Sequence, residues 1–324
     1  MFHLDQLDRR IASGLQVNPR ASWGELGDAL GEHQRTVARR AQRMFDAGVL
    51  RITAIPDDLL TGLGVPLHVG LRTEPGAADT VANALAARDD TRGVFVITGS
   101  LDVWCEVVVS DPDRRHEVLA SELPTIEGVI TTDSRVVLHT FTTVAEWHAP
   151  FLTDTEVATL RSTVERLPPA SAEGVKLDDV DRRVVELLHG DGRMSFTAIA
   201  ERLDVSVPTA ARRVALLLGR GLLHMRAEID PRVLGLTVEA QIGVKTRASG
   251  MDACGRELSK HPGVRYCAAL GGDYSLLLEV CLSYESQLYW FLNEIGAMEE
   301  VVDVNAALIT RAYKRAGLTS RTGS

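Results

Sequence analysis

Leu4-Asp5-Gln6-Leu7-Asp8-Arg9-Arg10 returns 173 residues later as Leu177-Asp178-Asp179-Val180-Asp181-Arg182-Arg183. The same offset pairs Ser22 with Ser195, Leu30 with Leu203, Thr36 with Thr209, Ala38-Arg39-Arg40 with Ala211-Arg212-Arg213, and Gly48 with Gly221. Across residues 4–50 roughly a third of the positions are identical without a gap. The register persists further: Gly62 falls on Gly235, Gly70 on Gly243, and Glu106-Val107 on Glu279-Val280. A single register held this long marks an internal duplication, which decides the architecture before any element is assigned. The chain divides into a head at 1–55 and a body at 62–145, an unmatched stretch at 146–175, then a second head at 176–230 and a second body at 235–315.

Each head reads as three helices. Leu4, Leu7, Ile11 and Leu15 recur at helical spacing, and Asn18-Pro19 ends that run. Ser22-Trp23-Gly24-Glu25 is a capping box that opens a short second helix, broken at Gly31. A third helix runs from about His33 to Ala47, with Val37, Ala41, Met44 and Phe45 inward and Gly48 as its stop. Leu50-Arg51-Ile52-Thr53 then begins a wing strand. In copy two, Ser195 and Ser206 cap the second and third helices, and Pro208 sits in a first turn, where a missing N–H does no harm. Three short helices with a tight turn before the last predict a winged helix-turn-helix.

The third helix carries the chemistry. Its outward positions are His33, Gln34, Arg35, Thr36, Arg39 and Arg40, against Ser206, Thr209, Arg212 and Arg213 in copy two. Gln can pair with adenine and Arg with guanine, while Arg also neutralises phosphate. These residues are the expected contacts to double-stranded DNA. Arg40 and Arg213 have an alternative in acids of their own head.

Each body reads as βαββαβ. In copy one the segments are Val65–Arg72, Ala77–Ala87, Gly93–Ile97, Val103–Val109, Asp113–Leu123 and Val129–His139. In copy two they are Thr237–Thr246, Met251–Lys260, Val264–Leu270, Leu276–Leu282, Glu285–Ile295 and Val301–Ile309. A sheet with helices on one face leaves its other face to be covered, and a second such sheet is the natural cover, so the bodies should pair within the chain. Between the copies, Val157, Leu160, Val164 and Leu167 predict a helix from Thr153 to Leu167, stopped by a linker at Pro168-Pro169-Ala170-Ser171-Ala172-Glu173-Gly174.

With these motifs the sequence resembles the Lrp/AsnC family of transcription regulators, in its tandem, fused subgroup. The matching residues are Leu4-Asp5, Asp8-Arg9-Arg10, the Arg39-Arg40 helix, Ala47-Gly48-Val49-Leu50, Gly99-Ser100-Leu101-Asp102 and Ile126-Glu127-Gly128-Val129. The resemblance implies an α+β fold: two copies of a winged helix-turn-helix followed by a ferredoxin-like sensing domain. It implies a sequence-specific regulator with a small effector, an amino acid or related metabolite. It also nominates Gly99, Ser100, Leu101 and Asp102 for that effector, with Gly271, Gly272, Asp273 and Tyr274 in copy two. There Ser275 replaces Asp102, which puts an equivalent second site in doubt.

The net charge is −9, an unusual sign for a DNA binder, but it is unevenly spread. Residues 1–52 hold eight Arg against six Asp/Glu, and residues 176–226 hold nine Lys/Arg against seven. Each head is therefore weakly basic and the remainder acidic, as a local electrostatic footprint requires. Hydrophobic content of 45% and charged content of 24% fit an ordinary globular protein. No membrane-length apolar run and no signal-peptide pattern are present, so a cytoplasmic protein is expected. Cys105, Cys254, Cys267 and Cys281 lack metal-site spacing and read as buried thiols. No metal, cofactor or membrane partner is expected; assembly into homo-oligomers is. One rival reading is enzymatic: some proteins of this plan resemble decarboxylases of modified tetrapyrroles, which would point to His68, His139, and Arg135 or Arg72. The Arg-rich third helix in both copies argues for the regulator. A second rival is a ligand sensor or architectural oligomer without DNA.

Overall fold

The computed structural model describes residues 2–162 and 177–319. Copy one opens with α1 (Gln6–Val17), α2 (Trp23–Leu30) and α3 (Gln34–Asp46), followed by β1 (Leu50–Pro56) and the short α4 (Asp58–Thr61). Its body is β2 (Val65–Thr73), α5 (Ala78–Ala86), β3 (Thr91–Ile97), β4 (Val103–Val109), α6 (Pro112–Glu117) and β5 (Val129–Thr142), after which comes α7 (Asp154–Ser162). Copy two runs α8 (Asp179–Gly190), α9 (Phe196–Leu203), α10 (Val207–Gly219), β6 (Leu223–Ile229), β7 (Val238–Thr246) and α11 (Met251–Leu258). It ends with β8 (Val264–Leu270), β9 (Leu276–Leu282), α12 (Glu285–Gly296), β10 (Val301–Arg315) and β11 (Leu318–Thr319). The α+β class and the βαββαβ order of both bodies are as expected. The expected helix Asp113–Leu123 is shorter: after α6 comes a π turn (Val118–Glu122) and a 3-10 turn (Leu123–Thr125). Pro124, without an N–H, cannot extend an α-helix there.

The chain folds as two compact units that sort like with like. One is built from residues up to Leu63 and from Val144–Leu234; the other from Gly64–Thr143 and from Gly235 onward. The first holds both heads. Asp5 and Asp8 form a capping box at α1, and Asp178 and Asp181 form its twin at α8. The Ser22–Glu25 box opens α2 as expected, whereas α9 has only the Ser195 cap, because Ala198 stands where Glu25 does. The two wing strands pair with each other rather than each forming its own wing. β1 and β6 are antiparallel with Thr53 opposite Arg226, and those residues are equivalent under the repeat, so a pseudo-twofold axis passes through them. Ala54 of β1 lies in the apolar core of the second head, beside Val184, Leu188 and Leu223.

A reciprocal clamp follows the same axis. Arg20 donates to the carbonyls of Gly192 (2.6 Å) and Met194 (3.1 Å), and Arg193 donates to those of Pro19 (2.8 Å) and Ala21 (3.0 Å). Arg20 also lies over Phe196 and Arg193 over Trp23, at 5.1 and 4.3 Å from the ring centroids. Residue i touching j while j touches i is the signature of an isologous interface, here within one chain.

The unmatched stretch is more than a connection. Val157 and Leu160 of α7, with Trp147 and Ala149 before it, are buried in the head unit. Gln16 accepts from the Ala149 N–H at 2.8 Å, and Arg10 pairs with Glu156 while donating to the Leu30 carbonyl. The helix thus packs on α1 and α2. Val164, Leu167 and the Pro168–Gly174 linker lie outside the described residues.

In the body unit the strands close into a ring, β3-β4-β2-β5-β8-β9-β7-β10 and back to β3, with β11 hairpinned onto β10. Closure leaves no long free edge to recruit other strands. The last strand of each copy makes the join. β5 pairs with β2 up to Val136 and with β8 from Val137 to Thr142; β10 pairs with β7 up to Leu308 and with β3 from Ile309 to Lys314. Both run past their expected ends at His139 and Ile309. Along β2, Leu67, Val69 and Leu71 face the helices of body one, together with Val81 and Leu85. A separate cluster of Phe95, Ile97, Trp104 and Val137 with Ala268, Leu270, Leu277 and Ala312 joins the two sheets.

Candidate nucleic-acid interface and ligand cavity

The third helix of each head is held by the first. Arg40 donates to Asp5 (2.6 Å) and Asp8 (3.0 Å), and Arg213 repeats this with Asp178 (2.6 Å) and Asp181 (3.0 Å). The two capping-box acids of α1 thereby tie down α3, and those of α8 tie down α10. The hydrogen bond from the Asp8 N–H, then that from Arg40, holds the Asp5 carboxyl below its ordinary range. Arg40 in turn is raised by its bonds to Asp5 and Asp8. Of the alternatives open for Arg40 and Arg213, the geometry places both on acids of their own head. Arg43 also reaches Asp8 at 2.6 Å and lies over Phe2; its counterpart in copy two is Leu216.

The remaining expected contact residues divide by role. His33 is the N-cap of α3, its Nδ1 accepting from the Arg35 N–H at 3.2 Å. Ser206 caps α10, accepting from the Thr209 N–H. Thr36 and Thr209 are half-buried, while Gln34, Arg35, Arg39 and Arg212 are exposed. Among the described residues, Arg35 and Arg39 make no side-chain bond within the chain. Head one therefore presents a glutamine and two unengaged arginines on the early turns of α3. Head two presents Arg212 beside Val207, which is 43% exposed, and Pro208.

In the bodies, the nominated loops join β3 to β4 and β8 to β9. Gly99 and Gly272 adopt φ of 108° and 133°, a region that favours glycine. Asp102 accepts from the Thr73 N–H at 2.8 Å, and Ser275 accepts from the Thr246 N–H at 3.1 Å. Thr73 and Thr246 are equivalent under the repeat. Asp102 and Ser275 therefore do the same job, stapling the loop to the end of β2 or β7, and the missing acid in copy two costs no structural role. Leu101 lies against Gly70, and Tyr274 against Gly243: a Cβ on either glycine would come within 2.3 Å of Leu101 or 2.9 Å of Tyr274.

Ser100, Leu101, Asp273 and Tyr274 line a cavity of about 440 Å³ between the two sheets, on the pseudo-twofold axis of the bodies. His68, Arg72, Arg135 and Trp104 also line it, facing Gln241, Leu277 and Asn305 from copy two. Gly99 and Asp102 border a neighbouring hollow with Arg72 and Glu74, whereas Gly271 and Gly272 border neither. Arg135 pairs with Asp133 at 2.5 Å and lies over the Tyr274 ring from the other copy at 5.5 Å. His68, 2% exposed, has its Nε2 at 3.2 Å from the Tyr266 hydroxyl and 3.5 Å from Glu106. Burial pushes Glu279, the repeat partner of Glu106, above the usual carboxylate range. His139 lies away from this group, exposed and edge-on to Phe141.

Residues 4–44 and 177–218 match the AsnC-type helix-turn-helix domain, and residues 67–144 and 239–319 match the Lrp/AsnC ligand binding domain. The chain belongs to the Lrp/AsnC family, as a tandem of two modules. An uncharacterized HTH-type transcriptional regulator of Pyrococcus furiosus is 29% identical over 145 residues, 44% of this chain and 95% of the relative. Regulatory protein AsnC of Escherichia coli is 26% identical over 140 residues, 42% of this chain and 91% of its own length. Such relatives correspond to one module. A fold likeness spans both: the crystal structure of the siroheme decarboxylase NirDL aligns over 97% of this chain and 94% of its own at a TM-score of 0.64, with 15% identity.

The nominated residues of this Lrp/AsnC protein are therefore only partly convergent. Sequence reasoning passed over Trp104, Gln241 and Asn305 as site residues. A signal existed: His68 and Gln241 are equivalent polar residues at the same phase of the strand alternation in β2 and β7.

Proposed function

We propose that this protein is a cytoplasmic, DNA-binding transcription regulator. In this reading its two heads read unlike half-sites, and its paired bodies bind a small effector, an amino acid or related metabolite. Whole chains assemble further into homo-oligomers, and the effector shifts that assembly or the presentation of the heads. The observation that carries the reading is the exposed row Gln34, Arg35 and Arg39 on the early turns of α3, with Arg212 in the matching place on α10. Side chains there can enter a major groove while the rest of the head holds the helix in place. Ser100, Leu101, Asp273 and Tyr274 support an effector site in the bodies, because both copies contribute them to one cavity. The test is selection of bound duplexes followed by footprinting at several salt concentrations. The expected result is a preferred site with two different halves. A perfectly symmetric footprint from a single chain, or binding with no sequence preference at moderate salt, would overturn it, the latter favouring a sensor or architectural role.

A second reading is favoured by one observation: His68, Arg72 and Arg135 meet in the cavity. Arginines can hold the carboxylates of a substrate while a histidine exchanges a proton with it. Under this reading the protein would remove carbon dioxide from a modified tetrapyrrole. Mass spectrometry after anaerobic incubation with such a compound separates the two: unchanged substrate leaves the regulator standing alone.

A further inference from the structure

Among the described residues, two buried nitrogens of cavity-lining residues have no hydrogen-bond partner: Nδ1 of His68 and Nε2 of Gln241. They come from equivalent positions of β2 and β7, and the residues are 2% and 5% exposed. Both residues line the cavity on the pseudo-twofold axis. A buried polar group left unpaired is costly, and its persistence asks for an explanation by a ligand or water. The two groups are not alike. We take Nε2 of His68, which faces the Glu106 carboxylate at 3.5 Å and the Tyr266 hydroxyl at 3.2 Å, as the nitrogen that carries the hydrogen, which leaves Nδ1 as an acceptor. Nε2 of Gln241 is a donor. The cavity wall at His68 and Gln241 therefore holds one buried acceptor and one buried donor, close to Glu106 and Glu279, where a second negative charge would be repelled. The positive charge lies elsewhere on the wall, at Arg72 and at Arg135, whose guanidinium lies over Tyr274 and pairs with Asp133, so that a ligand carboxylate there would share Arg135 with Asp133. Trp104 and Tyr274 supply flat apolar walls.

We propose that this cavity binds one heteroaromatic carboxylate per chain: a flat ring whose edge carries an adjacent N–H and carbonyl for His68 and Gln241, and whose carboxylate lies on Arg135. The volume of about 440 Å³ suits a one- or two-ring ligand. Because the repeat places His68 on Gln241 and Trp104 on Leu277, the two halves of the cavity are unequal, and the ligand enters in one orientation with a stoichiometry of one. The proposal rests on reading the bodies as the effector-binding half of the protein.

Orotate and pterin-6-carboxylate are the probes, titrated calorimetrically into the full chain. Uracil serves as a probe with the edge but no carboxylate, and benzoate as one with the carboxylate but no edge. At least one of the first pair should bind with a dissociation constant below about 1 mM, at one per chain, and the controls about tenfold or more weaker. Gln241→Leu and Arg135→Gln should each weaken that probe about tenfold or more. Circular dichroism checks the fold of both, and Arg135→Gln, at a half-buried position on the cavity wall, keeps the test alive if Gln241→Leu does not fold. Absence of binding by both probes, equal binding by the controls, two sites per chain, or binding that survives both substitutions overturns the proposal. Gel shifts on the same preparation separate the two ideas: DNA binding without probe binding removes the ligand and leaves the regulator, whereas loss of both removes the regulator as well.

Discussion

Head one and head two share what holds a head together and differ in what faces outward. The shared set is internal: Asp5, Asp8 and Arg40 against Asp178, Asp181 and Arg213, and the clamp of Arg20 against Arg193. The differing set lies on surfaces. Arg35 and Arg43 of α3 are replaced by Pro208 and Leu216 of α10, and Gly31, which ends α2, by Asp204, which ends α9. Gly14 is replaced by Leu187, and it is at Gly14 that α7 packs: a Cβ there would lie 2.5 Å from Leu26 and 3.4 Å from Leu160. Leu187 instead packs against the apolar core of head two. The scaffold is the same in both copies, while head one carries an extra helix and the third helix of head two has two fewer arginines than that of head one.

The strongest way to break this comparison is to remove the basic surface from one head at a time. On the proposed reading, Arg35→Ala with Arg39→Ala should weaken DNA binding by about a hundredfold, the order expected for two lost charged contacts. It should also lower the slope of log affinity against log salt by about two. Arg212→Ala should lower the slope by only about one. Arg40→Ala is the control: it should destabilise head one, because Asp8 is nearly fully buried against it, and leave the slope unchanged. If Arg40→Ala moves the slope as much as Arg39→Ala, the division between inward and outward arginines fails.

The next test attacks what the heads share. Each of Arg20 and Arg193 donates two hydrogen bonds to main-chain carbonyls of the other head, and charged hydrogen bonds contribute about 1.5–3 kcal/mol each when buried. Both arginines are half-buried, so about 1–2 kcal/mol for each single alanine variant is expected. The two single variants should cost the same within error, since the contacts are reciprocal. Denaturant melts of the full chain measure this, and a large inequality between the two would show that the clamp is not a true two-sided interface.

Smaller effects come from exchanging unlike residues between the copies. Gly14→Leu, which gives head one the residue of head two, gains helix propensity worth about 0.5–1 kcal/mol. It also forces a side chain against Leu26 and Leu160, and overpacking of this kind costs about 1–3 kcal/mol. A net loss is expected, together with faster proteolysis near α7. A neutral or stabilising result would mean that α7 does not need the glycine.

The same comparison explains what could be read from the amino acids and what could not. β4 and β9 agree with their expected bounds because each is a short apolar run paired with strands of its own copy; β8 agrees as well, although β5 of the other copy lies along its second edge. The alternation predicts ends for β5 and β10 at His139 and Ile309, where it gives way to Thr140, Thr142, Thr310 and Arg311. Those residues are strand because the other copy supplies the partner, and that information is nowhere local. Arg39 and Arg40 look alike in sequence, and only the position of Asp5 and Asp8 beneath α3 separates them. The cavity was half legible for a similar reason. Its loop residues carry a motif, while His68 and Gln241 acquire meaning only when two sheets face each other.

Asp204 offers the smallest and most local test. It ends α9 in the left-handed conformation at φ 54°, where its counterpart Gly31 ends α2 at φ 68°. A side chain in that region is disfavoured by contact with its own backbone, less for Asp than for most residues. Glycine removes that penalty but loosens the unfolded chain, an opposing effect of about 0.4–1 kcal/mol. Asp204 is exposed, and among the described residues its side chain makes no bond that the substitution would forfeit. Asp204→Gly should therefore stabilise head two slightly, by about 0.5 kcal/mol, and Gly31→Asp should destabilise head one by about 1 kcal/mol. The asymmetry matters more than either value. Equal and opposite changes would mean that the two helix ends are interchangeable; a larger loss at Gly31 would show that the tight turn into α3, which places Gln34 and Arg35, is the more demanding of the two.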